Sequence, residues 1–279
     1  MMASAVGAIL SPGVWIRNEC SHDMRPPEAQ DIHLWCIAPM LLEESSFALL
    51  SAEEQAHYQR IGAATVKQQY WQTRLGIRQL LSLYSPAVPP SAWQFRRNAH
   101  GRPELHAPAL PFGLCFNISH TAGLIVIAVS ASGAIGVDVE RSDRNPRVLE
   151  LAHRYFSTRE LADLRALPSQ RQGERFLRLW TLKEAYIKAC GMGLAIPLDS
   201  FSFLLEKGDI DVAFAPVRGD EPGRWRFWQF ALGENHLCAL ALRRDEHPDN
   251  YAVQVLHLQD WAQVEPIAAT VLAASAGLS

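Results

Sequence analysis

The serine-to-glutamate spacing of a helix capping box occurs twice, as Ser51-Ala52-Glu53-Glu54 and as Ser157-Thr158-Arg159-Glu160. The two lie 157 − 51 = 106 residues apart, and each precedes a long stretch of helical period with charged residues one turn apart. Arg74 and Arg78 occupy the first stretch, and Glu184 and Lys188 the second. Their offset, 184 − 74 = 110, is reconciled with the first by four inserted residues. Strand-like runs flank both. The repeat predicts an α/β chain of α+β arrangement: two similar lobes with pseudo-two-fold symmetry, each a small, mostly antiparallel sheet packed with a long helix. Chance similarity between amphipathic helices is the plainer alternative, and spacing alone does not separate the two.

A chain of 279 residues is long enough for two cores of moderate size. Residues 1–29 contain Pro26-Pro27 and no sustained period, and read as a flexible N-terminal extension with one short strand near Val14 to Arg17. The lobes are expected over 30–133 and 134–260, with a peripheral Ala/Ser-rich tail over 261–279. The first holds a strand at His33 to Ile37, a helix from Ser51 and a longer one over 64–83. Short strands around 93–95 and 104–105 follow within a proline-rich region. Further strands are expected over 114–118, 124–129 and 134–140, with Ser130-Ala131-Ser132-Gly133 as a hairpin turn between the last two. A capped helix at Ser157 and a long one over 172–190, stopped by Gly191, lead to strands over 201–205, 225–232 and 237–242.

Composition narrows the function. A net charge of −3 gives no nucleic-acid footprint. No run approaches the roughly 18 apolar residues of a membrane span, and the N-terminus shows no basic leader. Five cysteines without a C-x-x-C pair suggest neither a disulfide framework nor a zinc cluster. A cytoplasmic protein is expected.

In Ala134-Ile135-Gly136-Val137-Asp138-Val139-Glu140 the apolar residues alternate with Gly136, Asp138 and Glu140. As a strand this buries one face and places both carboxylates on the other, their Cα atoms roughly 7 Å apart. Mg²⁺ takes oxygen ligands at about 2.0–2.1 Å, and carboxylates together with substrate phosphate oxygens suit it. An edge strand with a solvated acidic face is the simpler reading of that segment alone. Glu184 can complete the acid set and Lys188 can neutralise phosphate, although a surface i,i+4 ion pair explains the two equally well. Lys183 faces elsewhere, for a separate contact. Ser119 and His120 are expected on a turn at a strand end, where hydroxyl, imidazole and backbone N–H groups bind phosphate or simply satisfy the turn. They do not form a nucleophilic pair, because neighbouring side chains on a strand point apart.

Taken in order, Gly101-Arg102-Pro103, Phe116-Asn117-Ile118-Ser119-His120, Gly136-Val137-Asp138-Val139-Glu140 and the segment Trp180 to Lys188 closely resemble the motifs of 4′-phosphopantetheinyl transferases of the surfactin-synthetase-activating type. The resemblance covers about Ser51 to Gly193 and fits the two-lobed, monomeric form of that family rather than its shorter, trimeric form. It implies transfer of the phosphopantetheine arm of coenzyme A to a serine of an apo acyl or peptidyl carrier protein, with Mg²⁺, releasing adenosine 3′,5′-bisphosphate. It further implies Asp138, Glu140 and Glu184 as Mg²⁺ ligands and Glu184 as base toward the serine. Lys188 is implied as a catalytic residue that holds the diphosphate and assists the leaving group, and Arg74, Ser119 and His120 as further contacts to coenzyme A. Arg102 is implied as another coenzyme A contact, at a position where the family usually has lysine, which keeps the charge and changes the geometry. The same acids would serve a Mg²⁺-dependent hydrolase of diphosphates. A non-catalytic module that binds coenzyme A or a carrier protein is the third reading.

Overall fold

The computed structural model describes residues 9–11, 14–15, 24–143, 148–244, 251–258, 264–265 and 269–275. Along the chain run β1 (Ile9–Ser11), β2 (Val14–Trp15), β3 (Asp31–Ile37), α1 (Ala52–Arg60) and α2 (Ala64–Tyr84). Next come β4 (Gln94–Arg97), β5 (Pro103–Ala107), β6 (Cys115–Thr121), β7 (Leu124–Ser130) and β8 (Ile135–Arg141). Three helices follow, α3 (Val148–Tyr155), α4 (Thr158–Ala166) and α5 (Ser169–Cys190). The chain then forms β9 (Phe201–Glu206), β10 (Asp209–Phe214), β11 (Trp225–Leu232), β12 (His236–Arg243), β13 (Ala252–Leu258), β14 (Val264–Glu265) and β15 (Ala269–Ala274). No described helix is long and apolar enough to cross a membrane.

One sheet has the order β1-β2-β13-β3-β7-β6, with β14 on β13, and the other β8-β12-β11-β15-β10-β9. Alternation along the strands decides how they stack. Ile32, Leu34 and Cys36 of β3 and Val126 and Ala128 of β7 meet Ile135, Val137 and Val139 of β8 and Leu240 and Leu242 of β12 in one core between the sheets. On the outer face of the first sheet, α2 packs Ile77, Leu80 and Leu81 against Trp35, Ile37 and Ile127. On the outer face of the second, α5 packs Leu179, Leu182 and Tyr186 against Phe203, Phe227 and Ala239. The two-lobed α/β arrangement expected from the repeat is the one observed.

Both capping boxes form: Ser51 caps α1 with Glu54 returning its bond, and Ser157 caps α4 with Glu160. Each glutamate also binds a buried cation from the long helix of its own half. Arg78, 1% exposed, pairs with Glu54 at 2.7 Å, and Lys183, fully buried, pairs with Glu160 at 2.8 Å. Arg78 thus corresponds to Lys183, at an offset of 183 − 78 = 105, close to that of the capping boxes. The alignment of Arg74 and Arg78 with Glu184 and Lys188 through four inserted residues is therefore corrected.

Four further expectations change. The segment 130–133 is no hairpin: β7 pairs with β3 and β6, whereas β8 pairs with β12 in the other sheet. The chain crosses between sheets there because the apolar face of β8 completes the inter-sheet core. Ser119 and His120 lie within β6, whose pairing with β7 runs through Thr121, rather than on a turn. Residues 252–258, counted with the second lobe, pair in parallel with β3 of the first sheet, and β2 of the N-terminal extension pairs with them. The tail is not peripheral, since β15 lies between β11 and β10 with Ala269 and Ala273 buried. Alanine is a poor strand former, yet its small side chain fits opposite bulky neighbours, as Ala274 does opposite Trp228.

Candidate active site

Gly136 sets the distance between β8 and α5. A Cβ there would lie 2.0 Å from the Ala185 carbonyl oxygen and 2.4 Å from the Ala189 nitrogen, so only glycine lets the helix rest directly on the strand. With Ile135, Val137 and Val139 turned into the inter-sheet core, Asp138 and Glu140 share the face covered by α5. That helix brings Glu184 and Lys188 over them. β8 is an edge strand, as the simpler reading had it, but its acidic face is covered rather than solvated: Asp138 is 6% exposed.

The other edge of β8 is closed by side chains of β6. Asn117 Oδ1 accepts from the Val137 amide at 3.0 Å, and Ser119 Oγ accepts from that of Val139 at 3.3 Å. These amides would otherwise be unpaired at a sheet edge. Ser119 Oγ also donates to Asp138 Oδ1 at 2.9 Å. Lys188 Nζ donates to the same carboxylate oxygen at 2.6 Å and to Ser119 Oγ at 3.0 Å. The partner of Lys188 is therefore Asp138 on the strand, across 50 residues of chain, and not Glu184 one turn away. Lys183 faces the other way, donating to the Leu198 and Phe201 carbonyls beside its pair with Glu160.

Asp138, Glu140 and Glu184 line a cleft of about 300 Å³ together with the apolar Leu151, Phe176, Leu177 and Trp180. The Glu184 carboxyl is pushed up to about 7, first by burial and then by the neighbouring Asp138 carboxylate, with Lys188 opposing and Glu140 adding. Asp138 Oδ2 is buried and has no hydrogen-bond partner. Among the described residues no three His, Cys, Asp or Glu groups stand as a ready-made cation cage, so the acids share the cleft without closing a shell.

His120 stands beside this cleft. Partial desolvation and the Lys188 ammonium, followed by Arg74, hold its pKa below the ordinary histidine range. Arg74 lies over the Tyr70 ring at 5.2 Å, and its Nε is buried without a partner. Arg74, His120 and Lys188 thus form a basic strip alongside the acids. Arg102 is not among them. It sits at the end of the β4–β5 turn and donates to three backbone carbonyls, those of Ala189, Ile135 and Phe116, at 2.8, 3.1 and 3.3 Å.

Two parts of the site escape a reading by sequence. Asn117 lies in a motif but carries no charge to mark it. Leu151 comes from α3, a helix not expected between Glu140 and Ser157. The helical period around Trp180 and Leu177 was the available signal for the apolar wall.

A family model described as the 4′-phosphopantetheinyl transferase superfamily matches residues 134–241, the stretch that contains β8, α5 and most of β12. The transferase HetI of Nostoc sp. is 30% identical over 232 residues, which cover 78% of this chain and 92% of that protein. The chain belongs to the 4′-phosphopantetheinyl transferase superfamily. A second transferase of this name, from Bacillus subtilis, is 36% identical over 182 residues, covering 64% of this chain and 77% of that protein. Sfp of Bacillus subtilis is 42% identical over 114 residues, 41% of this chain and 48% of its own. As a 4′-phosphopantetheinyl transferase, the chain holds its acids and Lys188 within the matched stretch, while Arg74, Ser119 and His120 reach the site from the first sheet and its helix.

Proposed function

We propose that the cleft between β8 and α5 transfers the 4′-phosphopantetheine group of coenzyme A to a serine hydroxyl of an apo acyl or peptidyl carrier protein, with Mg²⁺, releasing adenosine 3′,5′-bisphosphate. The observation that carries this reading is Asp138 Oδ2, buried and unpartnered in a cleft shared with Glu140 and Glu184. A buried carboxylate oxygen is costly unless positive charge meets it, and Lys188 meets only the other oxygen. Three carboxylates are hard oxygen donors, so Asp138, Glu140 and Glu184 fit Mg²⁺ and would hold it. When bound, the cation supplies charge neutralisation and polarisation of phosphate oxygens.

The remaining chemistry belongs to the chain. Lys188 Nζ, with Arg74 and His120 in reach, receives the diphosphate of coenzyme A, while Ser119 keeps the Lys188–Asp138 contact aligned. The Glu184 carboxylate, beside the cation, accepts the serine proton, directly or through one water. The serine oxygen bonds to the phosphorus that carries the pantetheine arm. The bond from that phosphorus to the bridging oxygen breaks, and its electron pair leaves on the adenosine bisphosphate beside Lys188 Nζ. Since β6, β8 and α5 come from one chain, a monomer is sufficient.

The test is a panel of apo carrier proteins from fatty-acid, polyketide and nonribosomal peptide systems, incubated with coenzyme A and followed by mass spectrometry, with Mg²⁺ or a chelator. Gain of one phosphopantetheine on at least one carrier, dependent on Mg²⁺, is expected. Release of the bisphosphate without any carrier would replace the reading with a hydrolase.

A further inference from the structure

The β4–β5 turn belongs to the first lobe, yet two of its side chains end on the last turn of α5. Asn98 Oδ1 accepts from the His100 and Arg102 amides at 2.9 and 3.0 Å, and Gly101, at φ 88°, closes the loop. From this frame Asn98 Nδ2 donates to the Gly191 carbonyl at 2.9 Å, and Arg102 Nη1 to that of Ala189 at 2.8 Å. The last carbonyls of a helix have no partner within it and carry partial negative charge, so an amide and a guanidinium are suited to cap them. A Cβ on Gly191 would stand 3.0 Å from Asn98 Nδ2 and 3.2 Å from Arg102 Cδ, so the turn lies tight against the helix end.

Arg102 Nη2 meanwhile donates to Ile135 and Phe116. One guanidinium therefore joins α5, β8 and β6, each at a carbonyl one to three residues from a site residue. Ala189 adjoins Lys188, Ile135 lies three before Asp138, and Phe116 lies three before Ser119.

We propose that Asn98 and Arg102 are positioning residues: they clamp the C-terminal end of α5 onto β8 and β6 and so hold Lys188, Asp138 and Ser119 in mutual contact. The inference rests on the transferase reading above, and it gives Arg102 a role through the fold in place of the coenzyme A contact that its motif implies.

Steady-state kinetics with coenzyme A, together with hydrogen exchange of amides 185–191, test it on N98A, R102A and R102K. R96A serves as control, because Arg96 is 63% exposed on the same hairpin and pairs with the half-exposed Glu104. Expected are a fall in kcat of about 10-fold for N98A and about 100-fold for R102A, through misplacement of reacting groups, with KM for coenzyme A within about twofold. Exchange at 185–191 accelerates in both, R102K falls between R102A and wild type, and R96A matches wild type. A raised KM in R102A, restored by R102K, with kcat and exchange unchanged, would make Arg102 a phosphate ligand and overturn the proposal. So would an N98A variant silent in both readouts. If R102A fails to fold, N98A and R102K decide. Exchange needs no transfer, so it reports on the clamp even if the transferase reading fails.

Discussion

β3 and β8 hold corresponding places along the chain, each preceding a capped helix and the long helix that covers it, although β3 lies inside its sheet and β8 at the edge of the other. Their inward faces are alike: Ile32, Leu34 and Cys36 on one, Ile135, Val137 and Val139 on the other. Their helix-facing sides differ. β3 presents His33, Trp35 and Ile37, and both His33 Nδ1 and Trp35 Nε1 reach Tyr84 Oη of α2 at 2.7 Å. β8 presents Gly136, Asp138 and Glu140 to α5, which leaves a cleft where the first half is plugged. The halves also share a feature that chemistry does not use, the capping-box glutamate neutralised by a buried cation. Charge repeated in both halves therefore maintains the fold, and charge with no counterpart in the other half forms the site.

Substitutions across this comparison should separate stability from activity. The largest effects are expected on stability. Trp35→Ala should cost about 3–5 kcal/mol, read by chemical denaturation, while the transfer rate per folded molecule stays near wild type. Lys183→Ala, which strands the fully buried Glu160, should also cost about 3–5 kcal/mol. Arg78→Ala should act in the same direction but less, because Glu54 is 12% exposed and can be hydrated. Equal losses would weaken the correspondence of the two pairs.

Gly136→Ala should cost about 1–3 kcal/mol by forcing α5 away from the strand, and unlike Trp35→Ala it should slow transfer by the folded molecule. The smallest effect is one of pH. Glu184 titrates at about 7 against an ordinary 4.5, so the fold holds its proton more tightly than the unfolded chain does. Its stabilising contribution is full below about pH 4.5 and is lost as pH rises through 7. With a chelator present, Glu184→Gln should thus gain on wild type between those values, by up to about 2 kcal/mol after solvent screening. Denaturation curves at pH 5 and pH 8 read the difference, and a gap that does not change with pH would contradict it.

Much of this was legible in local pattern. The capping boxes, both long helices, Gly191 as a helix stop and the acidic face of β8 all follow from spacing within a few turns. What was not legible depends on distant partners. Alternation says that 134–140 is a strand but not that it leaves β7 for β12, nor that 252–258 joins the first sheet. Arg78 and Lys188 look alike in sequence, each a basic residue on a long helix, and only burial assigns one to Glu54 and the other to Asp138. Arg102 shows the same limit. Its motif points to coenzyme A, and the carbonyls that hold it come from three separate elements.

The most direct measurement is the rate at which Asp138→Asn and Glu184→Ala convert an apo carrier protein to its phosphopantetheine form with coenzyme A and Mg²⁺, followed by mass spectrometry on samples shown to be folded. Wild type should convert a carrier, and each variant should lose on the order of 10³-fold in rate while remaining folded. Conversion by both variants at the wild-type rate would contradict the assignment of chemistry to the β8–α5 cleft.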